Sequence, residues 1–350
     1  VSGTPARTAD AATAAEVVCL GESMVTFLPS QPGRLADVPS FGRGIGGAES
    51  NVACALAAAG HRAAWVSRVG ADGFGDHLVE AVTGYGVDTS AVQRDPARPT
   101  GIYFRTATDR ATDVHEVAYY RAGSAASAMS PDNVPHDALF AGRVLHLSGI
   151  TAALSADCLA LLHDLTAPRP GRPLISFDVN HRPGLWRDAD AAPEVLLDLA
   201  RRSDLVFVGE DEAEEAWGVK GAEAIRAALP EPEVLVVKRG PEGATVFCDA
   251  GEADDVTAVP ALRVDVVAPV GAGDAFAAGF LSATLRGLPV RDRIRHGHLM
   301  AAAVLTVPGD LTAPAARAHA DALAALGDDA WGRLRLGPGW TGDDQEVRTT

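Results

Sequence analysis

Lysine is nearly missing from this chain: 350 residues contain only Lys220 and Lys238. The remaining cations are arginines, a bias we attribute to codon usage. With 30 Lys and Arg against 46 Asp and Glu, the formal net charge is −16 at pH 7. That excludes the broad basic surface which non-specific nucleic-acid binding needs, although a local cluster can still hold a small anion. Cysteine is also scarce. Cys19, Cys54, Cys158 and Cys248 are far apart with no ligand spacing, so they are expected to be reduced core thiols of a cytoplasmic protein rather than a disulfide framework or a zinc site. No apolar run approaches the roughly 18–20 residues that cross a bilayer, and no membrane partner is expected. His296 and His298 lie two apart on an expected helix, so they do not share a face and make no metal pair.

What is there is a regular alternation. "EVVCLGES", "AAWVSRVG", "RVLHLSGI", "LISFDVN", "DLVFVG" and "VLVVKRG" read as apolar strands, with helical segments such as "AESNVACALAAAG" and "FGDHLVEAVTGYG" between them. Near-continuous apolar strands alternating with helices predict an α/β fold, a mainly parallel sheet with helices on both faces. Residues 26–44 and 100–123 break the pattern with short alternating strands and no helices. They predict a small β-sheet lid, with a hairpin around Thr108–Asp113, above the carboxyl edge of the main sheet, where open α/β sheets bind ligands. Residues 1–15 are expected to be a disordered leader and 326–350 a C-terminal tail, leaving one domain over 16–325.

Chemistry concentrates in "VVAPVGAGDAFAAGF" (266–280). Gly271 and Gly273 let the backbone turn sharply and approach a ligand. The helix that follows offers unpaired N–H groups and a positive dipole end to an anion. Asp274 then has two roles open to it, a helix N-cap or a base beside a phosphoryl group. Upstream, Gly46 and Gly47 in "GIGGAESNVACALAAAG" permit close approach to a polyol and a hinge under the lid, and the Asn51 amide can both donate to and accept from hydroxyls. Glu22 and Ser23 follow the first strand, where a polar pair reaches the same edge.

The two glycine-rich segments, in this order and separation, resemble the paired signatures of the ribokinase-like (PfkB) carbohydrate kinases, over about residues 16–325. The resemblance implies a ribokinase-like fold and ATP- and Mg2+-dependent phosphorylation of a sugar hydroxyl. Asp274 matches the family's catalytic base. Gly271, Ala272 and Gly273 match its anion hole, and Gly46, Gly47 and Asn51 its sugar side. "LVVKRGPEGATVF" resembles the nucleotide-side turn, which implies roles there for Lys238, Gly240 and Gly243, with Arg239 a possible phosphate partner. "GHLMAAAVLTVPGD" (297–310) resembles the helix and turn that pack near adenine. "GEDEAEEAWG" stands in place of the family's Asn-x-x-Glu motif: Glu212 matches the Glu that acts on Mg2+ through bound water, and Gly209 replaces the Asn. Ala268 stands where the family commonly has an Asp near a monovalent-cation site, so dependence on such a cation is in doubt.

"YYRAGSAASAMSP" and "ISFDVNHRPGLW" resemble the 2-keto-3-deoxygluconate kinase branch, whose substrate positions match Tyr103, Tyr119, Arg121, Ile150 and Arg182. Arginine offers a planar fork to a sugar acid's carboxylate. Arg121 and Arg182 are therefore expected to meet over one ligand, with Tyr103 and Tyr119 as pocket walls. His181 stands where relatives often have Tyr. A neutral-sugar kinase, a sugar or nucleotide sensor, and, through the formal G-x-G-x-x-G of "GRGIGG", a dinucleotide enzyme are the alternatives. The lid's exposed strand edges need cover, which a homo-oligomer joined through the lid would give.

Overall fold

The computed structural model describes residues 14–31, 33–106, 116–249, 251, 254–342 and 348–349. The chain begins β1 (Val17–Leu20), β2 (Met24–Pro29), β3 (Phe41–Gly46), α1 (Ala48–Ala58), β4 (Ala63–Val66), β5 (Arg68–Gly70), α2 (Gly73–Gly84), β6 (Gln93–Asp95), β7 (Ile102–Arg105) and β8 (Val117–Tyr120). It continues α3 (His136–Leu139), β9 (Val144–Ser148), α4 (Gly149–Leu154), α5 (Ala156–Thr166), β10 (Leu174–Asp178), α6 (Ala192–Arg201), β11 (Leu205–Gly209), α7 (Glu210–Trp217), α8 (Ala222–Ala228) and β12 (Val234–Lys238). Then come β13 (Ala244–Asp249), β14 (Asp254–Val259), β15 (Arg263–Val264), α9 (Ala272–Leu285), α10 (Val290–Leu305), α11 (Arg317–Ala324), α12 (Asp328–Arg333), β16 (Leu334–Leu336) and β17 (Arg348–Thr349).

The main sheet has eight strands in the order β14-β13-β12-β11-β10-β9-β1-β4. The strands from β12 to β4 are parallel, and β13 and β14 extend one edge antiparallel. Strand side chains alternate between faces, and here both faces are covered. Cys19, Phe207 and Val236 pack with Phe280 of α9 on one side. Val18, Leu20, Phe177 and Val206 pack with Leu161 and Leu199 on the other. This is the doubly covered parallel sheet expected from the continuous apolar strands.

The lid is a separate four-stranded sheet, β3-β2-β7-β8. Its strands lie at 24–46 and 102–120, close to the two predicted segments. The predicted hairpin tip at Thr108–Asp113 falls outside the described residues, as do residues 1–13 of the predicted leader. The expected C-terminal tail needs correction. Trp331, Leu334, Leu336 and Trp340 are all buried and join the core face that holds α9 and α10, and β16 pairs with β15. Glycines and acidic residues dominate that stretch by count, but four well-spaced large apolar side chains are enough to dock it.

α9 is apolar all round, with Ala275 to Ala283 buried without a break, the mark of a core helix. It crosses α10 at a glycine contact. A Cβ on Gly279 would lie 2.3 Å from the His296 carbonyl oxygen, and one on Gly297 would lie 2.8 Å from the Phe276 ring. Since backbone, not a flexible tip, blocks position 279, Gly279→Ala is expected to destabilise the fold by about 1–3 kcal/mol. Urea midpoints at constant m measure this, and an unchanged midpoint would refute the close crossing.

Candidate active site

Five strand ends and the lid converge on one cleft of about 540 Å³. Glu22 lies just after β1, Ile150 after β9, Asp178 and Arg182 at and after β10, Glu212 after β11, and Lys238 ends β12; all line it. Tyr103, Arg105, Tyr119 and Arg121 roof it from the lid, and residues 269–274 and Asp310 close the remaining side. The carboxyl edge of a parallel sheet is where such a cleft is expected.

The catalytic-looking turn has a specific shape. Gly271 takes φ +75°, the left-handed region, and a Cβ there would lie 2.6 Å from the Asp310 carbonyl oxygen. Gly271 is the residue before α9 and no side chain caps the helix. The first N–H groups of α9 therefore have no partner within the helix, and Gly271, Ala272 and Gly273 line the cleft.

Asp274 is not the N-cap. It sits in the first turn of α9 and accepts a 2.8 Å hydrogen bond at Oδ2 from Nδ2 of Asn51 on α1. Burial pushes its carboxyl up to about 7, with Asp178 and Asp310 adding to the rise while Asn51 and Lys238 oppose it. The side chain thus turns toward α1 rather than to its own helix backbone, which removes the capping role.

Lys238 donates to both Asp178 oxygens at 3.0 Å. Burial alone pulls its ammonium down, but Asp178, Glu212 and Asp274 outweigh this and hold it above its ordinary value. Glu212 accepts from the Gly209 N–H at 2.8 Å, and its other oxygen lies 3.5 Å from Arg182. Among the described residues no three His, Cys, Asp or Glu side chains are grouped to hold a metal ion. Glu212, partly exposed in the same cleft as the Gly271–Gly273 turn, fits Mg2+ carried mainly by phosphate oxygens and water. A cleft of this size, lined by Lys238 and by the first turn of α9, fits a nucleoside triphosphate.

A family model described as pfkB family carbohydrate kinase matches residues 14–317. The chain belongs to this family. A 2-dehydro-3-deoxygluconokinase of Bacillus subtilis is 36% identical over 301 residues, 85% of this chain and 91% of that one. One of Thermoproteus tenax is 35% identical over 314 residues, 89% of this chain and 94% of its own length. The crystal structure of a PfkB protein from Polaromonas superposes with TM-score 0.77 at 34% identity, covering 88% of this chain and all of that one. The protein is thus a carbohydrate kinase, a phosphotransferase acting on an alcohol, and its fold is ribokinase-like.

The other predicted residues of this PfkB kinase divide into two groups. Gly46, Gly47 and Asn51 line the cleft with Tyr103, Tyr119, Arg121, Ile150 and Arg182. A Cβ on Gly46 would lie 2.2 Å from the Tyr103 hydroxyl, so the bare backbone there leaves room for that side chain within the lid. Gly240 and Gly243 are not among the lining residues. They form the turn between β12 and β13, where Gly243 at φ +114° passes 2.1 Å, by its would-be Cβ, from the Val259 carbonyl oxygen. Ser23 is likewise absent from the lining and accepts at Oγ from the Ser50 hydroxyl at 3.0 Å. Arg239 pairs with Glu210 and Glu242. The Ala268 N–H donates to the Leu305 carbonyl at 3.4 Å.

The expected pairing of two arginines over a ligand is changed by Glu22. Arg121 donates from Nε to Glu22 Oε2 at 2.7 Å, and Ser124 donates to the other oxygen. Arg121 therefore arrives with its charge already countered. Arg182 is different: its side chain is 54% exposed and its nearest carboxylate oxygen, on Glu212, is 3.5 Å away. Sequence reasoning missed Asp178, Asn180, Arg105 and Asp310. Asn180 takes φ 42° and leaves Oδ1 buried without a partner. A charged residue ending an apolar strand was the available signal for Asp178; the Pro-Gly turn before an Asp was the signal for Asp310.

A carboxyl raised from 3.8 to about 7 binds its proton more tightly in the folded state than in the unfolded chain. Its stabilising contribution is complete below about 3.8 and is lost as pH rises through about 7. Asp274→Asn is therefore expected to be more stable than the parent at pH 8, by about 1–3 kcal/mol, with the gap closing near pH 4–5. Urea unfolding at the two pH values reads this; a parent that is the more stable at pH 8 contradicts the buried, proton-retaining carboxyl.

Proposed function

We propose that this carbohydrate kinase phosphorylates a sugar acid, at the C6 hydroxyl of 2-keto-3-deoxygluconate. The observation that carries the proposal is Asp274, buried at the start of α9 and lining one cleft with Arg182, a half-exposed cation whose contact with Glu212 is a long 3.5 Å. The names of its relatives support the same substrate. The product is a sugar-acid 6-phosphate.

ATP supplies the phosphoryl group and Mg2+ offsets charge on the phosphates. Asp274 accepts the proton of the attacking hydroxyl, and a pKa near working pH suits a base that must both take and release it. Asn51 holds the carboxylate in place. The N–H groups of Ala272, Gly273 and Asp274 face the charge that builds on the transferred oxygens, an electrostatic role that needs no rearrangement. Lys238, oriented by Asp178, adds a fixed positive charge on the nucleotide side, and Glu212 is suited to a metal-bound water. Arg182 pairs with the substrate carboxylate, Tyr103 and Tyr119 form the wall, and Ile150 gives an apolar contact. Ala268 brings no carboxylate to the turn, so a monovalent cation is not part of the proposal.

A neutral-sugar kinase of fructose or ribose type is the second reading. It draws support from Arg121 and Arg105, both already matched by carboxylates, which leaves Arg182 to recognise an acid alone. Coupled ADP detection with 2-keto-3-deoxygluconate, fructose and ribose separates the two; a higher kcat/KM on either neutral sugar overturns the sugar-acid assignment.

Asp274→Asn is expected to lower kcat by about 10²–10⁴ without loss of the fold. In the parent, kcat/KM should fall as pH drops below about 7, because only the ionised carboxylate accepts a proton. Near-parental kcat in the variant would refute the base. Arg182→Ala should raise KM for the acid by about tenfold to hundredfold and leave KM for ATP nearly unchanged. Equal effects on both would count against a carboxylate contact.

A further inference from the structure

One buried ion pair in the cleft is explained by neither the proton transfer nor the phosphate contacts. Arg105 ends lid strand β7 and Asp310 follows α10, so the pair joins the lid to the body. Arg105 Nη2 donates to Asp310 Oδ1 at 2.7 Å, and each side chain is 8% exposed. The Tyr103 hydroxyl, also from β7, lies 3.4 Å from Asp310 Oδ2.

Asp310 also touches both glycine turns. The would-be Cβ of Gly46, at the hinge between β3 and α1, lies 3.2 Å from Asp310 Oδ2, and that of Gly271 lies 3.0 Å from Asp310 Cα. A single residue thereby meets the lid, the hinge and the turn that carries Asp274. A buried pair of this kind is a weak source of stability, since desolvation offsets most of its attraction. Its geometric consequence is large, because both partners are held in one place.

We propose that Arg105 is a positioning residue that fixes the Asp310 carboxylate between lid and catalytic turn, so that seating the polyol under the lid also sets the turn beneath the transferred phosphoryl group. This deepens the kinase assignment and rests on it for the kinetic readout, but not for the titration below.

The groups that face Asp310 are Arg105 and Tyr103 from β7, Asp274 from α9, and the neutral Asn51 from α1. Burial raises the Asp310 carboxyl, and Arg105 and Tyr103 work against that rise. Without Arg105 the carboxyl keeps its burial and loses its counter-charge, so it takes up a proton at higher pH and its hold on the lid is released.

Arg105→Met and Arg105→Lys test this. The Asp310 carboxyl is followed by 13C NMR titration, and kinetics are run at pH 6.5 and 8.5 with whichever sugar the substrate panel identifies. In Arg105→Met the Asp310 titration should move upward, and KM for the sugar should rise about tenfold or more at pH 6.5, with a smaller defect at pH 8.5 and little change in KM for ATP. Arg105→Lys should recover much of the loss. An unmoved Asp310 titration overturns the proposal whatever the substrate proves to be. So does a defect that is independent of pH, equal for both substrates and not rescued by lysine. A panel that yields a neutral sugar overturns only the sugar-acid assignment.

Discussion

Everything in the cleft depends on keeping one carboxyl dry. In water Asp274 would be a weak base at neutral pH; buried, it is raised to about 7. The same burial penalises its ionised form, so the surroundings must hold it without neutralising it. Asn51 does this with a neutral amide, and Lys238 is near but engaged with Asp178. A direct Lys238–Asp274 bridge would drive the pKa back down and remove the proposed base. The site is thus less stable locally than an apolar packing would be, a common consequence of building a reactive group into a fold.

Three close ion pairs of the cleft cross from one chain segment to another. Lys238 of β12 meets Asp178 of β10, Arg121 beyond β8 meets Glu22 beyond β1, and Arg105 of β7 meets Asp310 beyond α10. The last two both run from a lid arginine to a body carboxylate. Such pairs add little net stability, yet they limit how the lid can sit, because either partner left alone would be a buried, uncompensated charge. Gly46 completes the arrangement by leaving space for the Tyr103 hydroxyl.

Much of this was legible in sequence because it rests on local rules. Strands buried on both faces read as unbroken apolar runs, and the lid read as the place where helices stop. Gly271 was legible because a left-handed turn against another backbone admits little else. The pairing of charges was not. Arg121 looked like half of a carboxylate clamp because nothing near it in sequence announces Glu22, 99 positions away. Asp310 and Arg105 are 205 positions apart, and each alone resembles an ordinary surface charge. Asp274 carried both its roles until the partner on α1 was seen, since a cap and a base differ only in where the side chain turns. The chain after 326 was misread for a different reason: docking depended on Trp331, Leu334, Leu336 and Trp340 meeting a face built by α9 and α10, a long-range match that composition conceals.

The scarcity of lysine sharpens the chemistry at position 238. Nearly every cation here is arginine, and one of the two lysines ends β12 inside the cleft. The other, Lys220, pairs with Glu214 on the surface. Arginine presents a rigid planar fork, which suits a planar carboxylate or a fixed pair such as Arg105 with Asp310. A phosphoryl group in transfer changes shape and spreads its charge over three oxygens. A compact ammonium on a flexible stem follows that redistribution without demanding one orientation. Asp178 anchors the lysine, and in the proposed reaction the exception to the chain's arginine bias falls where a point charge serves better than a fork.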